Sequence, residues 1–149
     1  MQGRPQKKSK AQVWVLSTHE EELYALLLKL IPERGAYWQP VTGGIEEGES
    51  PKQGALREAW EETGFDPFEA MQVLGHRFEY ESRWGKVEEE AFYFFAVPGL
   101  PEPKLDVREH TDFRWTKLTE VESFIRHESQ LEVIRKIRER LKKNDSLQS

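Results

Sequence analysis

The sequence predicts an α+β protein with a central mixed sheet, and three observations carry that prediction. Strand-like and helix-like stretches follow one another as strand, strand, loop, helix, hairpin, strand, helix. The aromatic run Phe92-Tyr93-Phe94-Phe95 is strongly strand-like. One helix carries both a start and a stop signal: Ser50 as N-cap, Pro51 at the first helical position, Gln53 closing a capping box, and Gly64 to end it in the left-handed conformation.

Taken in order, residues 1–10 are polar and basic, with Arg4, Lys7, Lys8 and Lys10, and are expected to form a flexible tail in preference to the alternative, an arm that contacts phosphate or RNA. Residues 11–16 read as a strand in which Val13 and Val15 alternate with Gln12 and Trp14. After a polar turn, residues 23–30 are nearly all apolar, and their short length with Pro32 beyond them favours a buried strand over a helix. Residues 31–36 form a loop whose Arg34, with Lys29 just before it, could face a polyphosphate or be plain surface charge. Residues 37–41 deliver the chain to a glycine loop as an edge or irregular strand, because Pro40 has no N–H to give a ladder.

Beyond the helix, Asp66-Pro67 breaks structure, and residues 71–82 and 87–97 form a hairpin turning at Arg83-Trp84-Gly85-Lys86. Trp84 at that turn is a candidate for stacking on a base. Residues 98–103 make a Pro/Gly loop expected to border the cleft, and residues 112–115 a short strand. A short helix opens at residues 118–121 with Thr119 as a cap, and a last amphipathic helix over residues 128–141 places Leu131, Ile134, Ile137 and Leu141 on one face. The expected organisation is one domain over residues 11–142, with a flexible tail over 143–149.

A chain of 149 residues that is 37% hydrophobic can bury one core. Its net charge of −5 and pI near 5.5 argue against broad nucleic-acid binding. With no cysteine it has neither disulfides nor thiolate metal sites. It has no apolar run long enough for a membrane span and no signal-peptide core. The expectation is a soluble cytoplasmic protein, monomer or homodimer, with no membrane partner.

Chemistry concentrates in residues 43–65. Glu58, Glu61 and Glu62 stand at i, i+3 and i+4, so they share a helix face, with Glu47 and Glu49 upstream. Each adjacent like-charge pair costs roughly 0.2–0.5 kcal/mol on an isolated helix, so a cation should compensate. Oxygen-only ligands favour a hard ion, Mg²⁺ or Mn²⁺. The bland reading of such a face is solvated acid; the glycine loop and Arg57 weigh against it.

At Gly43, Glu49, Arg57-Glu58, Ala59, Glu61-Glu62, Gly64 and Phe65 the sequence resembles the signature of the Nudix hydrolases, with every spacing in register. Ala59 is small where a larger aliphatic is usual. The resemblance implies the Nudix α/β/α sandwich with the signature helix against the sheet. It also implies metal-dependent hydrolysis of a nucleoside diphosphate linked to another moiety. By the match, Glu58, Glu61 and Glu62 would ligate the ions, Arg57 would hold Glu49 by a charge-assisted hydrogen bond, and Gly43 and Gly44 would let backbone approach ions and phosphates. The general base would be a signature glutamate, Glu61 or Glu62, or one from a later loop, for which Glu109 is placed; His110 is an accessory candidate on an exposed loop.

The run Trp38-Gln39-Pro40-Val41-Thr42-Gly43-Gly44 resembles Nudix enzymes that act on deoxynucleoside or dihydroneopterin triphosphates, as does Glu109-His110 before an aromatic-rich strand ending at Trp115. The leading reading is a pyrophosphohydrolase that takes a small nucleoside polyphosphate to monophosphate and pyrophosphate. Lys29, Arg34, Trp38, Gly44 and Trp84 are the expected substrate contacts. Dinucleoside polyphosphate hydrolysis and pyrophosphate removal from RNA 5′ ends are the alternatives, and a noncatalytic Nudix-fold nucleotide-binding module is the third.

Overall fold

The computed structural model describes residues 8–83 and 85–148, so Arg4, Lys7 and Trp84 lie outside the described residues. The strands are β1 (Lys8–His19), β2 (Glu22–Leu30), β3 (Trp38–Gln39), β4 (Val41–Gly44), β5 (Gln72–Ser82), β6 (Gly85–Phe95) and β7 (His110–Lys117). The helices are α1 (Pro51–Thr63) and α2 (Glu128–Gln148). Single 3₁₀ turns occur at Pro32–Arg34, Phe68–Ala70 and Val121–Ser123.

The sheet is mixed, as predicted. β1 runs parallel to β6 from Lys8↔Val87 to Leu16↔Phe95, and the other pairings are antiparallel. Pairing with β6 draws Lys8, Ser9 and Lys10 into β1, residues that sequence alone assigned to the tail. β1 and β2 pair only between Leu16↔Ala25 and His19↔Glu22. Further along they part: β4 takes over the start of β1, from Lys10↔Gly44 to Val13↔Val41, and β3 pairs β2 at Leu28↔Gln39 and Lys29↔Trp38. Pro40 sits between β3 and β4, where the chain changes partner and one missing N–H costs least. This splay opens one end of the sheet, with Lys10, Leu30 and Gly43 around it.

Both faces of the sheet are covered, so the architecture is an α/β/α sandwich. Under α1, Ala55 and Ala59 pack with Ala11, Val13, Val15, Leu26, Leu28, Phe92 and Phe94. Under α2, Val133, Ile134 and Ile137 pack with Trp14, Leu16, Ala25, Leu27, Ala91 and Tyr93. Strand alternation sends neighbours in β2 to opposite cores, which explains why residues 23–30 read as an unbroken apolar run. Ala59 is fully buried, its small side chain seating α1 on the sheet.

The signals read for α1 are all present. Ser50 Oγ accepts from Gln53 N–H (3.1 Å), Gln53 Oε1 accepts from Ser50 N–H (2.8 Å), and Gly64 adopts φ +78°. Three expectations need correction. Thr119 caps nothing: the helix expected at 118–121 is one 3₁₀ turn with no side-chain cap, and Glu122 instead accepts from Arg135 (2.7 Å) and Arg138 (2.8 Å) of α2. α2 continues to Gln148, past the end of its apolar stripe at Leu141, since no Gly or Pro stops it.

The loop at 98–103 does not border the open end of the splay. Gly99 N–H donates to Thr18 O (2.8 Å), Lys104 N–H to Thr63 O (2.7 Å) and Trp115 Nε1–H to Pro101 O (2.9 Å), which hold the loop at the far ends of β1 and α1. Among the described residues no helix is long and apolar enough to cross a membrane.

Candidate active site

At the open end of the splay lies a cleft of about 480 Å³. β4, its following loop and α1 contribute Gly43, Gly44, Glu46, Arg57, Glu58 and Glu61 to its lining, which Lys10 of β1, paired with Gly44, and Arg34 and Glu109 complete. Arg57 is its hub. Nε and Nη2 donate to the two oxygens of Glu49 (2.8 and 3.0 Å), a bidentate pair. Nη1 donates to both Glu58 Oε1 (2.9 Å) and Glu61 Oε2 (3.0 Å), and Nη2 also reaches Gly44 O (2.8 Å). Glu49 further accepts from Glu46 N–H (2.8 Å), which ties the acidic loop to α1. The Arg57 hydrogen bonds hold the Glu49 carboxyl below its ordinary range, and Glu49 in turn raises Arg57.

Glu62 lies behind this wall, 2% exposed. Burial first, then its neighbours Glu58, Glu109 and Glu61, push its carboxyl well above the usual range. Its Oε2 has no hydrogen-bond partner among the described residues. His110 is not on an exposed loop. As the first residue of β7 it is buried, with Nε2 3.5 Å from Glu62 Oε1, and desolvation lowers its pKa. The bulge where β7 meets β2 at Lys29/Leu30 turns it inward. Glu109, one residue earlier, does reach the cleft, where Arg34 Nη1 donates to its Oε1 (2.8 Å).

Of the expected substrate contacts, Arg34 and Gly44 line the cleft, and Lys29 and Trp38 do not. Alternation turns Tyr37 and Gln39 toward the cleft, while Trp38 packs against the α2-side core with Lys29 and Arg114 near its ring. Lys10, Tyr37, Gln39 and Thr42 are cleft residues that the sequence reading missed. For Lys10 the signal was hidden in a basic segment; for Gln39 and Thr42 it lay in the strand period on either side of Pro40.

As the side chains stand, no group of three His, Asp or Glu among the described residues is arranged to hold a metal ion; the cation at the cluster is Arg57. The donor set nevertheless fits a hard divalent ion. It offers carboxylate oxygen only, Glu62 Oε2 is buried without a partner, and Glu58 and Glu61 share one guanidinium nitrogen. Gly43 is packed so closely on Glu58 that a Cβ would fall about 2.0 Å from its Cδ. Gly43→Ala is therefore expected to displace Glu58, lowering stability by about 1–3 kcal/mol and turnover by about 10²-fold. Denaturant melts and steady-state kinetics on the purified variant check both.

The NUDIX domain family model matches residues 7–137, and the chain belongs to that family. It is 34% identical over 85 residues to the bis(5′-nucleosyl)-tetraphosphatase [asymmetrical] of Sus scrofa, covering 56% of this chain and 58% of that protein. It is 40% identical over 98 residues to an octanoyltransferase of Myxococcus xanthus, covering 63% of this chain and 26% of that protein. The chain thus spans about a quarter to just over half the length of these relatives. The E. coli dihydroneopterin triphosphate pyrophosphohydrolase structure superposes with a TM-score of 0.73 at 22% identity, covering 88% of this chain and 92% of that one, a likeness of fold. Members of the family generally use divalent metal ions.

Proposed function

We propose that the cleft hydrolyses a phosphoanhydride bond of a nucleoside or related triphosphate, releasing monophosphate and pyrophosphate. The observation that carries this reading is the acid cluster itself: Glu49, Glu58 and Glu61 gathered on one arginine at an open cleft, with the buried Glu62 carboxyl, one oxygen unpartnered, behind them. Glu58, Glu61 and Glu62, beside the Gly43 backbone, would hold a divalent cation, Mg²⁺ or Mn²⁺. When bound, the cation supplies Lewis acidity: it neutralises phosphate charge and makes water a stronger acid.

The chain's own groups would do the rest. Arg57 fixes Glu49 and the acidic loop beside the cleft, while Glu58 and Glu61 would exchange the guanidinium for the cation. Lys10 and Arg34, which line the same cleft, would bind phosphate oxygens. Substrate phosphate competes with Glu109 for Arg34, which frees the Glu109 carboxylate to take a proton from the attacking water. His110 has no route to the substrate and would orient Glu62 from behind.

The test is a panel with Mg²⁺: nucleoside and deoxynucleoside triphosphates, dihydroneopterin triphosphate, dinucleoside polyphosphates and 5′-triphosphorylated RNA, with products identified. Monophosphate plus pyrophosphate from a triphosphate is the expected result. Cleavage confined to the bridged polyphosphates or to RNA would replace it with one of those activities, and silence on every substrate would contradict hydrolysis.

A further inference from the structure

Past Lys10, Tyr37, Gln39 and Thr42 the cleft continues into a second cavity of about 480 Å³, between the start of α2 and the β5–β6 hairpin. Its walls differ from those of the phosphate cleft. They carry the rings of Tyr37, Phe78, Tyr80 and His127, and one buried carboxylate, Glu89, which is 4% exposed. A cavity of this size that sets aromatic rings beside polar side chains suits a planar heterocycle with hydrogen-bonding edges.

The hydrogen bonds around Glu89 determine what it can read. Trp14 Nε1–H donates to Gln12 Oε1 (2.7 Å), and an indole can only donate. Gln12 must therefore present its NH₂ to Glu89, and it does, with Nε2 donating to Oε2 (2.7 Å). Tyr80 donates its hydroxyl to Oε1 (2.9 Å), and burial, with the Glu89 charge beside it, raises its pKa so that it keeps that proton. Glu89 is thus an acceptor on both oxygens, with about two of its four lone-pair positions used. Gln130, 5% exposed, lines the same cavity with its Oε1 unpartnered among the described residues. At the buried end of the cavity Glu89 and Gln130 Oε1 therefore present acceptors with capacity to spare.

We propose that this cavity takes the 2-amino-4-oxopyrimidine edge common to guanine and pterins, with Glu89 accepting from its ring N–H and its exocyclic amino group together. Only that edge presents two adjacent parallel donors to a carboxylate. Adenine and cytosine set one amino group beside a ring acceptor, and uracil, thymine and hypoxanthine offer a single N–H. The inference rests on the phosphoanhydride reading of the adjoining cleft, since Lys10 lies on the wall common to both and would meet the phosphates of a heterocycle seated here.

Calorimetric titration without divalent metal tests it independently of turnover, using GMP, neopterin monophosphate, IMP and AMP against wild type and Glu89→Gln. An amide at position 89 can still accept from Gln12 and donate to Tyr80, so folding should persist, and a melt checks that. Wild type is expected to bind GMP or neopterin monophosphate about 10–100-fold more tightly than IMP or AMP. In Glu89→Gln the preference should fall to within about threefold. Whichever of the two binds more tightly identifies the source of the edge. Equal affinity of wild type for all four compounds, or no binding by GMP and neopterin monophosphate alike, overturns the proposal whatever the variant does. Retention of the preference in folded Glu89→Gln overturns it too. Hydrolysis without this preference would leave the cleft standing and remove the pocket; the preference without hydrolysis would do the reverse.

Discussion

Glu62→Gln is expected to lower turnover about 10³-fold while raising the melting temperature of the metal-free protein by about 2–6 °C. The two effects have one cause. Glu62 is a carboxylate held out of water, close to Glu58, Glu61 and Glu109, with one oxygen unpartnered. Its folded pKa lies above its ordinary value of 4.5, so the native state binds its proton more tightly than the unfolded chain does. As pH rises above about 4.5, ionisation in the unfolded state therefore draws stability away, and at neutral pH the native protein carries that penalty in full or in part. An amide of the same shape carries no charge and escapes it. What it loses is the negative oxygen that a cation needs. Thermal melts in chelator, beside kinetics with Mg²⁺, read both halves. A variant that melts lower and turns over normally would refute the account of Glu62.

Arg57→Met is expected to act on stability in the opposite sense, lowering it by about 2–4 kcal/mol in the absence of metal, with turnover falling by at least about 10²-fold. Methionine keeps the apolar stem but removes the donors to Glu49, Glu58, Glu61 and Gly44 O, which leaves three carboxylates mutually repelling. Arg57 is 23% exposed, so solvent screens part of this loss, and the figure is set below that for a fully buried pair.

The pH dependence identifies the mechanism. Glu49 has a folded pKa below 4.5, so its pairing with Arg57 contributes stability that is present above about pH 4.5 and is lost as pH falls through the lower folded value. That acid-side loss should be smaller in Arg57→Met than in wild type, the remainder coming from the Glu46 N–H bond to Glu49 and from Asp106 and Glu122, whose own arginine partners are untouched. An unchanged acid limb in the variant would place the stabilisation elsewhere.

What was legible in the sequence was what is local in the chain. The capping box of Ser50 and Gln53, the left-handed Gly64 and the shared face of Glu58, Glu61 and Glu62 are set by neighbours within a few residues, and all appear as read. The mixed sheet and the two-sided burial of β2 followed from pattern and order. The splay of β1 from β2 did not, because it depends on which strand pairs with which over long separations. With it were lost the place of Lys10 and the choice of Gln39 rather than Trp38 for the cleft. His110 was read as exposed because the bulge that buries it belongs to the pairing of β7 with β2. The loop at 98–103 was set beside the cleft on composition alone, whereas hydrogen bonds to Thr18 and Thr63 decide its position. Glu89 carried no local signal at all: its role depends on Gln12, 77 residues away.

If the acid cluster on α1 is a divalent-cation site, titration of Mg²⁺ and Mn²⁺ into the folded protein must raise its melting temperature. Binding to the native state alone stabilises by about 2.7 kcal/mol at one hundred times the dissociation constant, which predicts a rise of about 5–11 °C for wild type. The triple variant Glu58→Gln, Glu61→Gln, Glu62→Gln should show no saturable rise with either ion. A wild-type protein whose melting temperature responds to neither ion, or a triple variant that responds as wild type does, would show that these carboxylates hold no cation.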